Sequence, residues 1–464
     1  MPETSRRSHR LFSTIVMGLA VATPAAFASP KDRQAPPAGP AAALPLLGSD
    51  GVHLYVQEAY EAFPDVVDAR IATRYAELVD AGMDCSRHLF DWIDLQPDAN
   101  TLDVAFAVSA MQRRIAAGTG KQFVNITVID SGGPEAIPRF IRDRLDAGVP
   151  WDDPSIVDPF KELLSELIPP MLDEGMYMIG FANEPAGYYE DDPAGAASFA
   201  GFIEAAVAHA RTLSEELATT VVFAGTQDRA IPALMPLIDV ATFNHYAYEV
   251  ESEPACTILD TPLPFFRAVG PDSVGAVLDE MIATADGRLV CIQEFGQSTG
   301  WGDQPETLGP LASLDTQRQV MIAFTEALAD RREHFRTVCL WTLNDHTRNG
   351  MQYVIDAVTA EGLPQCYAAN IAEIFGPTGL VRSDATASRK PAFDAVRAAI
   401  LPLKEGRDGP FDLTGDDAIN FFDTIAYMRA FDADEPDADR VTPFDAVTAA
   451  DIIAFLRGIT PPSP

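Results

Sequence analysis

Between residues 45 and 402 the chain alternates short apolar runs with longer amphipathic ones. The short runs are typical of buried β-strands, and the longer ones have the periodicity of helices that cover a sheet. Eight strand–helix units in about 350 residues predict an α/β fold, a (β/α)8 TIM barrel with long loops. A doubly wound open sheet is the alternative, but no glycine-rich phosphate turn follows the first predicted strand.

The predicted strands span residues 52–56, 83–90, 122–129, 176–181, 220–224, 240–244, 289–292 and 337–342. The predicted helices include residues 65–80, 158–173, 197–217, 273–284, 316–330 and 392–400, the last after Pro391 at a helix-start position. All strands of such a barrel end at one face. Polar residues at those ends are therefore expected to share one cleft.

The composition excludes some classes of partner. Of the 464 residues 47% are hydrophobic, which suffices for a large core, and the net charge is −35. A surface this acidic repels nucleic acid and anionic membranes, so we expect neither as a partner. It suits a soluble secreted protein that acts on neutral polymers.

The N-terminus has the pattern of an export signal. Three arginines head an apolar stretch that ends in the small-x-small sequence Ala26-Phe27-Ala28, so residues 1–28 are predicted to be a signal peptide. An uncleaved anchor is the alternative. Cleavage takes the net charge from −35 to −37 and leaves a secreted or cell-surface protein without a membrane segment. Residues 29–44, rich in Pro and Ala, are predicted to be a flexible leader.

The five cysteines fall into two groups. Cys85, Cys291 and Cys339 lie inside apolar strand-like runs and are expected to be buried. Cys256 and Cys366 lie in loop-like stretches, which leaves a disulfide between them open in an exported protein. Their spacing suits no metal site.

Two glutamates follow predicted strands. Asn183-Glu184-Pro185 comes after the run at 176–181, and Gln293-Glu294-Phe295-Gly296 after the run at 289–292. Cleavage of a glycosidic bond needs two carboxyl groups in one cleft, because one protonates the leaving oxygen while the other attacks or activates water. A single glutamate is more often a solvated surface residue, so this interpretation depends on the pair.

Other polar and aromatic residues stand in or after predicted strands. They are Arg87, Asn125, Asn244, His245 and Tyr246 together with the four tryptophans Trp92, Trp151, Trp301 and Trp341. Indole rings pack on the apolar faces of sugars, so tryptophans on one face of the barrel indicate a carbohydrate cleft. Core packing is the alternative for each tryptophan, a structural hydrogen bond for His245, and a buried ion pair for Arg87.

These residues resemble the clan A glycoside hydrolases, the (β/α)8 retaining β-glycosidases that include cellulase- and mannanase-type enzymes. The resemblance covers residues 45–402 and rests on Asn183-Glu184, Glu294, Arg87, His245-Tyr246, Trp341 and the closing segment Lys390-Pro391-Ala392-Phe393. One departure is in the third strand, where Asn125 replaces the histidine common in cellulase-type members. The exact family and sugar preference therefore stay open.

The resemblance implies a role for each residue. Glu294 would be the nucleophile and Glu184 the acid/base, with carboxyls about 5 Å apart in the retaining geometry. Arg87 and Tyr246 would keep Glu294 charged and oriented, and Asn183 would bind the sugar 2-hydroxyl. The other expected substrate contacts are His245, Trp341, Trp301, Trp92 and Asn125. No cofactor is expected for catalysis.

The tail has a different composition. After a predicted linker at 403–410 it is acidic, and residues 423–429 match residues 451–457 at a period of 28, with four of seven identical. Potential ligands fall at EF-hand loop positions 1, 3, 5, 7, 9 and 12: Asp412, Thr414, Asp416, Ala418 through its carbonyl, Asn420 and Asp423. Paired loop–helix repeats of this kind resemble a type I dockerin, an α-helical EF-hand-like module, which implies a cohesin-type partner for residues 411–462.

The tail also departs from that pattern. Asp417 stands where glycine normally makes the tight turn, and the second repeat has Arg440, Thr442 and Phe444 at ligand positions. We therefore expect at most one Ca²⁺, in the first repeat. A metal-free acidic helical hairpin is the alternative.

Together these features predict a secreted retaining β-glycoside hydrolase of plant- or algal-type β-linked polysaccharides or oligosaccharides, with a dockerin-like module. One alternative is a carbohydrate-binding barrel that has lost turnover. The other is an adaptor of a cell-surface or cellulosome-like assembly that acts through its tail. The linkage cleaved and endo or exo action stay open.

Overall fold

The computed structural model describes residues 46–49, 76–77, 79–80, 83 and 85–404, with short gaps at 117–119, 131–135, 192, 259–260, 302–307, 344, 347–350, 353–354, 357–358, 360–362 and 383–387. The predicted signal peptide, leader, strand at 52–56 and dockerin-like module lie outside the described residues. So do the predicted calcium ligands Asp412, Thr414, Asp416, Ala418, Asn420 and Asp423.

The described residues form ten strands: β1 (Leu46–Ser49), β2 (Cys85–Asp91), β3 (Lys121–Thr127), β4 (Met176–Asn183), β5 (Ala218–Phe223), β6 (Val240–Tyr246), β7 (Tyr248–Ile258), β8 (Thr261–Ala268), β9 (Leu289–Gly296) and β10 (Phe335–Leu340). Eight of them are parallel and close a barrel in the order β1-β10-β9-β6-β5-β4-β3-β2. Gly48 of β1 closes the ring, since it pairs with Cys339 on one side and Cys85 on the other. The predicted (β/α)8 barrel is therefore confirmed, and the open sheet is excluded.

The helices surround the strands. They are α1 (Trp92–Leu95), α2 (Val104–Ala116), α3 (Arg139–Asp146), α4 (Pro154–Asp173), α5 (Ala186–Asp191), α6 (Pro193–Leu213), α7 (Ile231–Leu234), α8 (Val274–Thr284), α9 (Leu314–Ala329), α10 (Gln365–Phe375) and α11 (Pro391–Lys404). Local sequence explains where the longer ones begin. Asp153 caps α4 by accepting from the backbone N–H of Ser155, and Ser313 caps α9 by accepting from that of Thr316.

The main core lies between the strands and these helices. Trp92, Phe160 of α4, Phe202 of α6 and Phe324 of α9 belong to it. Fully burying such side chains contributes about 1.5–3 kcal/mol each, which is the main source of the barrel's stability. No helix in the described part of the chain is long and apolar enough to span a membrane.

A second apolar cluster lies beside the barrel. The antiparallel hairpin β7–β8 follows β6, and a disulfide joins Cys256 of β7 to Cys366 of α10. The side chain of Asn370 accepts from the Phe266 backbone N–H at 2.9 Å and donates to its carbonyl at 3.1 Å. Phe375 of α10 belongs to the same cluster. The open question of a Cys256–Cys366 disulfide is thus settled by its presence, and the hairpin is fixed against α10.

Some predicted bounds differ from the structure. The first barrel strand is Leu46–Ser49, ahead of the apolar run at 52–56, and α11 continues to Lys404, two residues into the predicted linker. The three remaining cysteines (Cys85, Cys291 and Cys339) are buried, as predicted, and take no part in the disulfide.

Candidate active site

Glu184 directly follows β4 at the C-terminal face of the barrel. Its backbone N–H donates to the Val222 carbonyl of β5 at 2.8 Å, which ties this residue to the neighbouring strand. Its φ angle is 49°, in the left-handed region that non-glycine residues seldom adopt. Such backbone strain is often found at functional residues, and here it directs the side chain towards β6.

The surroundings of Glu184 favour its protonated form. Burial, followed by the nearby charge of Glu294, raises its pKa to about 8, and Asp130 and Asp228 add to the increase. Asn244 Nδ2 donates to Glu184 Oε1 at 2.8 Å and opposes the shift in part. At neutral pH the carboxyl group therefore holds a proton that it can give to an acceptor in the cleft.

Glu294 lies on β9 in contrasting surroundings. The Arg87 guanidinium forms an ion pair with its Oε1 at 2.8 Å, and Tyr246 OH donates to its Oε2. Arg87 is fully buried and Glu294 only 6% exposed, so little water screens this pair. Burial and the charge of Glu294 raise the pKa of Tyr246 well above its usual value, so the phenol stays a donor. Both contacts stabilise the carboxylate.

An amide network connects the two glutamates. Gln293 Nε2 donates to Asn183 Oδ1 at 3.0 Å, and Asn125 Nδ2 donates to Gln293 Oε1 at 3.2 Å. Asn183 Nδ2 in turn donates to Asp130 Oδ1 at 3.0 Å. Because the amides of Asn183 and Gln293 each have their oxygen and nitrogen engaged on defined sides, the network fixes the orientation of the residues that precede both glutamates.

Trp341 completes the group at the end of β10. The Arg87 guanidinium lies 5.3 Å from its ring centroid, and Tyr246 meets the ring edge-on at 6.4 Å. Gly296 permits this close packing, since a Cβ there would lie 2.7 Å from the Trp341 carbonyl oxygen and 3.1 Å from the Tyr246 ring. The peptide bond between Trp341 and Thr342 is cis.

The structure thus brings together six predicted site residues: Arg87, Asn183, Glu184, Tyr246, Glu294 and Trp341. Trp301 is partly buried and packs on Gly376 in the second apolar cluster, with its backbone N–H donating to Glu373 at 3.0 Å. Its contact with substrate stays a prediction.

Two predicted substrate contacts, those of Trp92 and Asn125, are wrong. Trp92 is fully buried in the main core, where its ring meets Phe160 at 4.8 Å and its Nε1 donates to Gln96. Asn125 is also fully buried, and its amide nitrogen donates to Gln293 Oε1 at 3.2 Å and to the Ala182 carbonyl at 3.4 Å. Trp151, the fourth tryptophan, is core as well, with its Nε1 donating to Tyr188 OH at 2.7 Å.

His245 does not belong to the cleft either. Its neighbours Asn244 and Tyr246 contact the two glutamates, so the alternation of side chains along β6 directs His245 outwards. There its ring lies 5.8 Å from that of Phe295, and burial lowers its pKa to about 4, so it is neutral. The predicted substrate contact is therefore replaced by a structural role.

Sequence reasoning missed three members of the site. Asn244 and Gln293 were visible in the strand-end motifs but carried no assigned role. Asp130 was overlooked, although it is the first charged residue after the apolar run that ends the third strand. Its position at a strand end was the signal that could have identified it.

Comparisons with known proteins identify the fold and no more. No protein-family model matches the chain, and no curated protein matches it either. Among solved structures, a GH5_18 glycoside hydrolase from Streptomyces cattleya, in complex with Manβ1-4GlcNAc, has a TM-score of 0.53 at 14% identity and covers 77% of this chain and 80% of that one. A GH5_18 structure from Bifidobacterium longum subsp. infantis has a TM-score of 0.52 at 13% identity, with 84% and 90% covered.

An exo-β-1,4-mannosidase, Op5Man5 from Opitutaceae bacterium strain TAV5, has a TM-score of 0.51 at 14% identity. It covers 76% of this chain, which spans 58% of that enzyme. At such identities the likeness establishes a shared (β/α)8 barrel, and the chemistry has to be argued from this chain's own residues.

Proposed function

We propose that the chain is a retaining β-glycoside hydrolase, in which Glu184 is the acid/base and Glu294 the nucleophile. One observation carries the proposal: the two carboxyl groups have opposite surroundings. Burial and like charges keep Glu184 protonated, while Arg87 and Tyr246 stabilise the Glu294 carboxylate. Two carboxyl groups of which one is protonated and the other ionised supply the acid and the nucleophile of a double displacement.

In the first step Glu294 would attack the anomeric carbon. The bond from that carbon to the glycosidic oxygen breaks, and the Glu184 proton moves to the departing oxygen. In the second step Glu184 takes a proton from water, the water oxygen attacks the same carbon, and the Glu294 carboxylate is released. Asn183 would bind the 2-hydroxyl in both steps, and Trp341 would pack under the ring.

The proposed substrates are β-linked polysaccharides or oligosaccharides of plant or algal type. The S. cattleya GH5_18 structure holds Manβ1-4GlcNAc, and Op5Man5 is an exo-β-1,4-mannosidase. These neighbours share the fold, which supports testing β-mannosides first, with β-glucosides, their epimers at C2, as the comparison. Secretion, a single Ca²⁺ in the tail and a cohesin-type partner are proposed on sequence grounds alone.

The test combines turnover with trapping. Reducing-sugar release from a panel of β-linked polysaccharides would be compared between the full chain, Glu294→Gln and the control Glu280→Gln, an equivalent change of an exposed glutamate on α8. An activated 2-deoxy-2-fluoro β-glycoside should label the peptide that contains Glu294. Full activity in Glu294→Gln would reject the assignment of Glu294 as the nucleophile. If the full chain is folded but shows neither turnover nor labelling, the assignment as a glycoside hydrolase is rejected.

A further inference from the structure

Asp130, just after β3, stands beside the residue that precedes Glu184. Asn183 Nδ2 donates to Asp130 Oδ1 at 3.0 Å, and the two residues pair as an isolated parallel bridge. The orientation of Asn183 is fixed, because its Oδ1 accepts from Gln293 at 3.0 Å and from Asn244 at 3.4 Å. The Asn183 amide nitrogen therefore necessarily faces the Asp130 carboxylate.

Asp130 is 9% exposed, so its carboxylate is kept at the barrel mouth at a cost in desolvation free energy. The other charged groups around Glu184 have different partners. Glu294 on β9 is held by Arg87 of β2, and Asp228, after β5, accepts from backbone N–H groups at 2.8 and 3.0 Å. Asp130 differs from them because its side-chain partner, Asn183, is itself a proposed sugar ligand.

We propose that Asp130 is a specificity-determining residue that accepts a hydrogen bond from a donor group at C2 of the sugar at the cleavage point. The inference rests on the proposed function, in which Asn183 binds the 2-hydroxyl. An ionised carboxylate has about four acceptor positions, so accepting from Asn183 does not by itself exclude a further donor such as a sugar hydroxyl. Asn183 and Asp130 would then bind one hydroxyl group as donor and acceptor.

This contact should strengthen during the reaction. Positive charge develops at the anomeric carbon, and the O–H on the neighbouring carbon becomes a better donor to a negative acceptor. Its main effect should therefore be on rate, with a smaller effect on ground-state affinity. The substrate class follows: sugars with a hydroxyl or a protonated amine at C2 are favoured, and 2-deoxy sugars are poor substrates.

The experiment compares the full chain with Asp130→Ala on 2,4-dinitrophenyl β-D-mannoside and β-D-glucoside, and on the 2-deoxy glycoside that is the counterpart of both. Dinitrophenolate departs without proton donation, so the rates report on C2 and not on Glu184 as an acid. We expect kcat/KM to fall about ten- to hundredfold on the 2-hydroxy glycosides and much less on the 2-deoxy glycoside. An equal loss on both would overturn the proposal.

Two further variants separate charge from contact. Asp130→Asn keeps an acceptor for Asn183 and loses the charge, so its loss should be smaller than that of Asp130→Ala on the hydroxylated sugars and largest on a 2-amino-2-deoxy glucoside. Asp228→Asn removes a charge near Glu184 without touching Asn183 and should not discriminate between 2-hydroxy and 2-deoxy substrates. If Asp228→Asn does discriminate between them, the effect comes from the net negative charge around Glu184, and the assignment of Asp130 fails.

Binding to the Glu294→Gln chain, measured by calorimetry with the same glycosides, separates this inference from the proposed function. The Glu294→Gln chain should bind the 2-deoxy glycoside more weakly than the 2-hydroxy glycosides, and Asp130→Ala should abolish this difference. If that result is obtained while the parent chain hydrolyses none of these glycosides, the Asp130 assignment is kept and the glycosidase assignment is rejected. Hydrolysis with no dependence on Asp130 would do the reverse. Neither binding nor hydrolysis of any of these glycosides would reject both.

Discussion

Tyr246, the last residue of β6, donates its phenolic hydrogen to Oε2 of Glu294 on the adjacent strand β9. Phe375 of α10 packs edge-on against the Tyr246 ring at 4.8 Å, so the second apolar cluster fixes the phenol in place. The hydroxyl group thus orients the proposed nucleophile and stabilises its charge from a rigid position.

Tyr246→Phe removes this donor and keeps the ring. We expect kcat to fall about 10²–10³-fold, the usual effect of deleting one preorganised donor to a charged group in an active site. Thermal unfolding should change little, because the packing against Phe375 is retained. Steady-state kinetics and a melting curve on the same sample check both. An unchanged kcat would mean that the contact does not act on the reaction.

The pH profile should report on Glu184. Its pKa is raised to about 8, so its proton is present below that pH, and activity on a substrate with a poor leaving group should decline as pH rises through about 8. Asn244→Leu removes the hydrogen bond that lowers this pKa, so the alkaline limb should move to higher pH. The limb should be weak or absent with a dinitrophenyl glycoside. A limb of equal strength on both substrates would contradict the assignment.

The same carboxyl group should destabilise the fold at high pH. Its folded pKa of about 8 exceeds the unfolded value of 4.5, so its favourable contribution is complete below about pH 4.5 and is lost as pH rises through about 8. Glu184→Gln has no such titration. Its melting temperature relative to the parent should rise over this interval, measured from pH 4 to 9, and a constant difference would refute the prediction.

A buried ion pair holds the segment after Trp341. Lys390 Nζ lies 2.6 Å from Asp345 Oδ1 and also donates to the Pro377 carbonyl at 2.9 Å. Lys390→Met should cost about 3–5 kcal/mol in unfolding free energy, because it leaves a buried carboxylate without its cation. The double variant Lys390→Met/Asp345→Asn should recover much of that loss in urea unfolding. Additive losses would show that the two side chains are not coupled.

Two tryptophans should respond in opposite ways to truncation. Trp92→Ala opens a cavity in the main core and should cost about 3–5 kcal/mol in stability, with near-normal turnover in the fraction that folds. Trp341→Ala removes the ring that packs on Arg87 and should reduce kcat about 10²-fold with little effect on melting. Equal effects of the two changes on stability and turnover would contradict the assignment of one ring to the core and the other to the cleft.

The pattern of the sequence predicts the barrel because eight buried strands repeat their signal. It fails at the first strand, since Leu46-Leu47-Gly48-Ser49 is too short and mixed to compete with the apolar run that follows it. Side-chain direction was the harder problem. Trp92 begins α1 directly after β2, and position along the chain does not tell whether an indole there faces the cleft or the helices.

His245 was predictable in principle. On β6 the residues that contact the glutamates are Asn244 and Tyr246, and a period of two places His245 on the other face. The roles that the resemblance implies require a raised pKa on Glu184, but the size of the shift was not predictable from the sequence. It depends first on burial and then on the charge of Glu294, with smaller contributions from Asp130 and Asp228 at the ends of two other strands. The strand-end motifs identified both glutamates from the sequence, whereas the burial and the neighbouring charges that set the Glu184 pKa depend on the closed barrel.

At Glu184 the left-handed backbone and the buried acid reduce the stability of the fold, whereas the proposed reaction requires this carboxyl group. Glycine or asparagine would adopt a φ of 49° with less strain, and neither would carry the buried acid whose ionisation opposes folding. A single substitution therefore removes both the backbone strain and the cost of ionising a buried acid. Selection of this chain for heat resistance alone should discard the glutamate early, so a stabilisation campaign needs an activity screen in every round.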